Sequence, residues 1–413
     1  MQENNVSRLG FEACQKCSIC NEVCPMMEVN PLYPGPKKAG PDQERYRLKD
    51  PVFYDYALKY CLNCKRCEVA CPSGVHVADL IQRARLDYAP SPKHPLRDTM
   101  LASTDFVGSL ASPFAPIVNA VLPLKPVKAI LDGAFAIDKR RTFPKYSPKT
   151  FVSWFRREAA PRQKEFSRFV SFFHGCYANY NYPQLGKDFV TVLNAFGIGV
   201  ELLDKEKCCG VAMISNGMIR EAKKHAVHNV GVLGKAVAAG RKVLATSSTC
   251  TFTMRDEYPE LLGIDNAAVR DSIQLVTKYL FERIDAGDLK PVFRKDYKAR
   301  IAYHTPCHLE KLGWGVFSTG LLKMIPGVEF TLLDSNCCGI AGTYGFKKEN
   351  YAVSQAIGKP LFDQIGRVAP DFVACDCETC KWQIEMSTGL PVRHPVSVLA
   401  EALDLAATAD ANR

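Results

Sequence analysis

The chain has 413 residues, 47% hydrophobic and 23% charged, with a formal net charge of +10. That is the composition of an ordinary globular protein long enough for two or three domains, not of a disordered or fibrous chain. Met1 to Asn5 has no basic stretch leading into an apolar one, so no Sec-type signal is expected, and the 18 cysteines are expected to be reduced thiols that bind metal rather than disulfides.

Cys14, Cys17, Cys20 and Cys24, closed by Pro25, follow the spacing C-x2-C-x2-C-x3-C-P; Cys61, Cys64, Cys67, Cys71 and Pro72 repeat it 47 positions later. Zinc sites more often use two separated pairs of ligands. Three thiolates at two-residue gaps suit three corners of a cubane [4Fe-4S] cluster, and in two-cluster ferredoxins the cysteine before the proline ligates the other cluster. The doubled run therefore assigns Cys14, Cys17, Cys20 and Cys71 to one [4Fe-4S] cluster and Cys61, Cys64, Cys67 and Cys24 to a second. A pair of zinc knuckles is the alternative. Between the runs, Val52, Tyr56, Lys59 and Tyr60 have the spacing of a short helix. After Pro72, Val77, Leu80, Ile81 and Ala84 mark one face of another. The expected unit is a helical two-cluster ferredoxin over residues 8–90.

Residues 91–167 form a connecting segment. Phe106 to Leu124 is near the ~20 residues of a membrane span, but Pro113, Pro116 and Pro123 break it and Ser109, Ser112 and Asn119 weaken it, so no transmembrane helix is expected. From Lys125 to Arg168 there are twelve Lys or Arg against four Asp or Glu, with Lys139, Arg140 and Arg141 in a row. An apolar stretch beside a cationic one is what contact with an anionic membrane surface requires. A linker packed between domains accounts for it equally well. Nucleic-acid binding is disfavoured, since no recognition motif accompanies the charge.

The remainder is an internal repeat, expected over 168–290 and 298–405. "RFVSFFHGC", "GVELLDKEKCCG" and "VLATSSTC" return as "RIAYHTPCH", "GVEFTLLDSNCCG" and "FVACDCETC". The cysteine gaps match: 31 residues from Cys176 to Cys208 against 29 from Cys307 to Cys337, and 40 from Cys209 to Cys250 against 41 from Cys338 to Cys380. Strand, helix and strand alternate, so each copy reads as a small α/β unit with a parallel sheet, its cysteines at the carboxyl ends of strands where such sheets bind ligands. The fold class is thus α+β and multidomain. The copies differ: Cys307, Cys337, Cys338, Cys377 and Cys380 make five aligned thiols, with Cys375 extra, whereas Cys176, Cys208, Cys209 and Cys250 make four, because Ser247 stands opposite Cys377. Adjacent cysteines suit an unusual cluster in the second copy; the first is expected to hold iron–sulfur or zinc, with buried structural cysteine as the plain alternative. His174, His304 and His308 are left out of the sites as structural residues. No nucleophile paired with a base, nicotinamide fingerprint or flavin fingerprint is present, so the chain reads as a one-electron carrier without catalytic residues of its own.

The doubled cubane motif followed by two CCG repeats resembles the iron–sulfur subunits of glycolate and lactate oxidation and the B-type subunits of heterodisulfide reductase. Within that group "LKYCLNCKRCEVACPS", "STDFVGSLASPFAPIVN", "CCGIAGTYGFKKENY" and "DCETCKWQIEMST" are most similar to the C subunits of anaerobic glycerol-3-phosphate dehydrogenases. The resemblance implies a subunit that takes electrons from a flavoprotein dimer of A and B subunits, passes them to membrane quinone, and anchors the dimer peripherally at the cytoplasmic face of the inner membrane. It also implies that a five-cysteine repeat holds a non-cubane [4Fe-4S] cluster. A reductase that cleaves a disulfide at such a cluster is the enzyme-class rival, and a scaffold of zinc and clusters with no redox flow is a third reading.

Overall fold

The computed structural model describes residues 10–50, 55–88 and 95–413. Val52 and the margins 8–9 and 89–90 of the expected first domain lie outside them.

The N-terminal unit is built from short helices strung between cysteines. Ile19–Glu22 and Arg66–Val69 each carry the third cysteine of a run and pack together. Each is entered through a residue with positive φ, Ser18 at 68° and Lys65 at 64°, and a second such residue precedes it, Lys16 at 58° and Asn63 at 57°. The two runs therefore share one backbone path with left-handed turns at matching places. Non-glycine residues enter that region at a cost of about 1–2 kcal/mol each. The turns curl three consecutive thiols toward one point. The expected second helix forms as Val77–Tyr88, burying Val77, Leu80, Ile81 and Ala84. The earlier one is shorter than its spacing suggests, a single 3-10 turn at Tyr56–Tyr60, with the Asp55 side chain capping it through the Ala57 N–H at 2.8 Å.

The repeats are two parallel sheets. In the first, β1 (Arg168–Phe173), β2 (Ile198–Leu202), β3 (Val243–Ala245) and β4 (Ile273–Leu275) lie in the order β2-β1-β3-β4. In the second, β5 (Ala299–Tyr303), β6 (Val328–Leu332), β7 (Phe372–Ala374) and β8 (Val392–Arg393) lie in the order β6-β5-β7-β8. All pairings are parallel. In each sheet the chain goes from its central strand to one side and then returns to the other. Loops leaving β1 and β3, or β5 and β7, therefore diverge at the carboxyl edge and leave the crevice where such sheets bind ligands.

The sheets share one core. Phe172 stacks on Phe189 at 3.8 Å within a cluster that also holds Ile301, Tyr303, Leu321, Val396 and Leu399 of the second repeat. Helix Pro183–Ala195 packs on Pro395–Ala402, and Val276–Asp285 on Gly315–Lys323, so each repeat offers corresponding faces to the other.

The connecting segment is laced across this body. Phe151 is fully buried, and its ring lies 2.5 Å from where a Cβ on Gly186 would stand. Ile137 bridges Lys347, and Arg97 pairs with Glu349 at 3.0 Å. Arg141, expected to belong to an exposed basic run, is instead fully buried against the Phe346 ring and donates to Gln383. The triplet is thus split by the fold: Lys139 and Arg140 stay outside, and Arg141 is interior.

Both adjacent-cysteine pairs are followed by a left-handed glycine, Gly210 at φ 89° and Gly339 at φ 83°. A Cβ on Gly210 would meet nothing closer than 3.7 Å, whereas one on Gly339 would lie 2.0 Å from the Ser354 carbonyl oxygen. Gly210→Ala is therefore expected to cost only the backbone term, about 1–2 kcal/mol, and to lower the melting temperature by a few degrees. Gly339→Ala adds a clash with main chain and is expected to exceed about 4 kcal/mol and to strip iron from the second repeat. Thermal melts with iron analysis compare the two.

Candidate metal centres

Four groups of thiols are brought together. Cys20 feels the charges of Cys14, Cys17 and Cys71, and burial with that repulsion pushes it up to about 11. Cys24 is held up at about 12 by burial and by Cys64 and Cys61. The last cysteine of each run thus lies with the other run's three, and Cys24, Cys61, Cys64 and Cys67 line one cavity with Tyr33 and Ile81. Main-chain N–H groups point at the sulfurs: Asn63 at Cys61 Sγ at 3.5 Å, and Val75 at Cys71 Sγ at 3.4 Å. Cys17 is exposed, so the first group sits at the surface; Cys67 is buried.

In the first repeat, Cys176, Cys208, Cys209 and Cys250 converge from the carboxyl ends of β1, β2 and β3. Accepting hydrogen bonds from Cys176 and Cys209 holds Cys208 well below the ordinary thiol range and its two donors above it. The second repeat has the same device at Cys338, which is held down by Cys337 and Cys380. In the second repeat Cys377 is held down as well, through Cys380; one or two thiolates are accommodated among the thiols, and four or five buried together need a cation. Ser247 does not stand in for a thiolate. Its Oγ donates to Glu378 Oε2 at 2.8 Å and accepts from the Cys250 N–H at 3.2 Å, so it caps helix Ser248–Phe252 and ties the repeats together.

Cys307, Cys337, Cys338, Cys377 and Cys380 gather in the second repeat. Cys338 and Cys380 are 3.3 Å apart, and Cys375 and His304 join them, the ligating atoms of His304, Cys375 and Cys380 all lying within 4.8 Å of one another. His304 is therefore at the centre, where the sequence reading leaves it out; the only signal is its place three residues before Cys307, which its counterpart His174 nearly shares. His308 stacks on Phe252 at 4.8 Å and lies 3.2 Å from the Asn63 carbonyl oxygen, at the seam with the ferredoxin unit. His174 lies 3.1 Å from Glu206. The connecting segment also reaches a centre unforeseen: Asp105 accepts from the Cys208 N–H at 2.5 Å.

The groups fit iron–sulfur clusters in two respects. The left-handed turns aim three thiols per run at a point, as a cubane corner set requires. In addition, Arg141 is buried beside Cys338 with its Nε and one terminal nitrogen unpartnered. An orphaned buried guanidinium costs several kcal/mol without an anion, and a thiolate-ligated cluster is an anion.

The groups are also linked. Cys307 is close enough to Cys64 for their charges to interact. Across that contact runs a buried ionic seam. Lys65, with no exposed surface, binds Asp79, faces Glu68 at 3.7 Å and lies over Phe252. Glu68 also binds Lys311 at 2.9 Å, and Asn63 donates to Glu257 at 2.7 Å. Burial lowers the Lys65 pKa, but Asp79, Glu68 and Glu257 outweigh it and hold the amine charged. Lys65→Met leaves these carboxylates buried without their cation and is expected to cost about 3–5 kcal/mol; hydrogen exchange across 61–80 and 252–257 should rise together. Protection unchanged at 252–257 would show that the seam does not couple the units.

Comparison with known proteins agrees with this architecture. A 4Fe-4S dicluster domain matches residues 10–75, and a cysteine-rich domain matches twice, at 170–255 and 301–385. The glycolate oxidase iron-sulfur protein of Escherichia coli K12 is 24% identical over 95% of this chain and 94% of its own length. The B chain of the CoM/CoB fumarate reductase of Methanothermobacter marburgensis is 26% identical over 97% and 73%. The C chain of the anaerobic glycerol-3-phosphate dehydrogenase of E. coli K12 is 57% identical over 394 residues, 95% of this chain and 98% of that one. A helical dicluster unit carrying two cysteine-rich sheets, alike over nearly the full length of both chains, belongs to the family of anaerobic glycerol-3-phosphate dehydrogenase C subunits.

Proposed function

We propose that this iron–sulfur protein carries electrons from flavoprotein A and B subunits to membrane quinone and holds that dimer peripherally at the cytoplasmic face of the membrane. The observation that carries this reading is the linkage of thiol groups across the units, Cys64 beside Cys307 and Thr249 Oγ1, next to Cys250, 3.6 Å from Cys377 Sγ, with the Cys17 group exposed at the other end. The clusters supply one-electron chemistry; the chain's residues fix where each sits. Cys14, Cys17, Cys20 and Cys71 would hold one [4Fe-4S] cluster, and Cys24, Cys61, Cys64 and Cys67 the second. Cys307, Cys337, Cys338, Cys377 and Cys380 would hold a further, non-cubane cluster, with Cys375 and His304 beside it. Cys176, Cys208, Cys209 and Cys250 would hold a simpler centre of iron–sulfur or zinc.

The cross-pairing makes a sharp expectation. Cys24→Ser should damage the cluster of Cys61, Cys64 and Cys67 and spare its own sequence neighbours' cluster. EPR of the iron-loaded chain separates the two, and loss confined to the Cys14 group would reject the pairing. The purified flavin-free chain should not oxidise glycerol 3-phosphate, and its clusters should become reducible by that substrate when A and B subunits are added. Failure of that reduction would sink the electron-carrier reading.

The membrane part rests on helices Thr104–Ala111, Ala115–Val121 and Lys125–Phe135. Among the described residues no single helix is long and apolar enough to cross a membrane. The inner side of the first two is packed, with Gly108 against Tyr180 and Ala111, Ser112 and Ala115 buried. Their outer side exposes Phe106, Leu110, Phe114, Ile117, Leu124 and Ile130, with Phe114 and Ile117 each more than 60% exposed. One segment thus has a packed face and a face free for contact. A patch of this kind marks an interaction surface, and Lys125 lies exposed at its edge. Buried apolar side chains of this size contribute about 1.5–3 kcal/mol each. Phe114→Glu with Ile117→Glu should weaken binding to anionic vesicles at least about tenfold, with iron content unchanged.

A further inference from the structure

A cleft of about 680 Å³ opens beside the first repeat, within the ~300–1,000 Å³ of small-molecule sites. Ser109 and Pro113 form one wall, Val152 a second, and Leu202 of β2 a third. The floor is polar. Glu206, its side chain 4% exposed, accepts from the Gly175 N–H through Oε1 at 2.8 Å and faces His174 Nδ1 at 3.1 Å. Its other oxygen, Oε2, is buried with no partner. Gly175 leads directly into Cys176, and Glu206 lies two residues before Cys208, so the floor abuts the first repeat's thiols. Lys149, Arg156, Arg157 and Lys205 also line the cleft.

The cleft adjoins the apolar surface described above. The helical turns that supply Ser109 and Pro113 to the cleft also expose Phe106, Leu110 and Phe114. A lipophilic ligand can reach the floor by that route. It must also present a hydrogen-bond donor to Glu206 Oε2, an unpartnered buried carboxylate oxygen, as the O–H of a reduced quinone does, and it arrives next to the first repeat's thiols.

The geometry points to this cleft as the head-group site of a lipophilic quinone, which enters along the 106–114 face and sets one ring oxygen at the His174–Glu206 floor. This rests on the reading of the chain as a carrier to a membrane acceptor. In the reaction the ring would gain two electrons, one at a time, from reduced iron–sulfur clusters held by this chain's cysteines and refilled by the flavoprotein subunits, the centre at Cys176, Cys208, Cys209 and Cys250 being taken here as iron–sulfur rather than zinc. Two protons drawn from water at the open mouth turn its two C=O groups into two O–H groups. Glu206 and His174 act here as positioning residues.

The test uses the full-length, iron-loaded chain with its A and B subunits on vesicles of phosphatidylglycerol and phosphatidylcholine, and a photoreactive azido-naphthoquinone as probe. Label is expected at the cleft-lining residues Ser109, Pro113, Leu202 and Glu206. Ser109→Trp, an exposed position whose new ring would fill the mouth, should lower probe labelling and binding affinity at least tenfold, with iron content and EPR spectrum unchanged. Label confined to Phe106, Phe114 and Ile117 would mean partition into lipid only and would overturn the site. So would unaltered binding in Ser109→Trp. If the wild-type complex reduces quinone while label falls elsewhere, the site fails and the carrier reading stands. If it neither labels nor reduces quinone, both fail.

Discussion

The crowding of thiols is the constraint on which the rest depends. Eighteen cysteines are present, and eight of them are buried. Burial and mutual repulsion both oppose ionisation, so the protein by itself stabilises only a thiolate that its neighbours can hydrogen-bond, as at Cys208 and Cys338. Bound iron supplies the missing positive charge, and its binding free energy becomes folding free energy. The left-handed turns at Lys16, Ser18, Asn63 and Lys65 fit this view. They are backbone costs, offset at Lys65 by its buried ion pairs, and they bring the three thiols of each run together.

The same electrostatics governs how the units join. Apolar packing alone would let the ferredoxin unit slide on the sheets. Instead the loop between Cys61 and Cys67 inserts Lys65 into a pocket of carboxylates drawn from two units, Asp79 and Glu68 of its own and Glu257 of the first repeat. Such networks contribute little net stability but tolerate few arrangements. Here the arrangement sets Cys64 beside Cys307. Arg141 does comparable work from the connecting segment, bringing a fixed cation to Cys338. Electron-transfer centres need fixed separations, and buried ion pairs fix separations more strictly than oily surfaces do.

The two sheets show how duplication was turned to asymmetry. Their strand orders are the same, and their helices meet in reciprocal pairs. Yet the corners after β3 and β7 meet each other. There Ser247 binds Glu378, and Ser248 donates to the Asp376 carbonyl oxygen at 2.8 Å. A serine at 247 makes that seam, whereas a thiolate there would face the Glu378 carboxylate. The absence of a fifth thiol in the first repeat and the closure of the repeat interface thus sit at one residue. The first repeat, freed from a fifth thiol, is also the one whose edge opens toward the apolar helices.

The sequence by itself determined the parts that depend on spacing along the chain. The doubled cysteine run, the duplicated half, parallel strands with cysteines at their ends, and the inequality of Ser247 and Cys377 are all local or periodic patterns, and periodicity survives in one dimension. The tertiary structure decided what depends on contact across long separations. Arg141 reads as one of three exposed cations, and only the fold shows it turned inward, because its neighbours Phe346 and Gln383 lie more than 200 residues away. Asp105 reaches Cys208 across 103 residues, and His304 reaches Cys375 across about 70. The apolar stretch at 106–124 could be read as membrane contact or as packing, since hydrophobicity does not record direction. The helices supply that direction by giving Gly108 and Ala111 to the interior and Phe106, Leu110 and Phe114 to the outside.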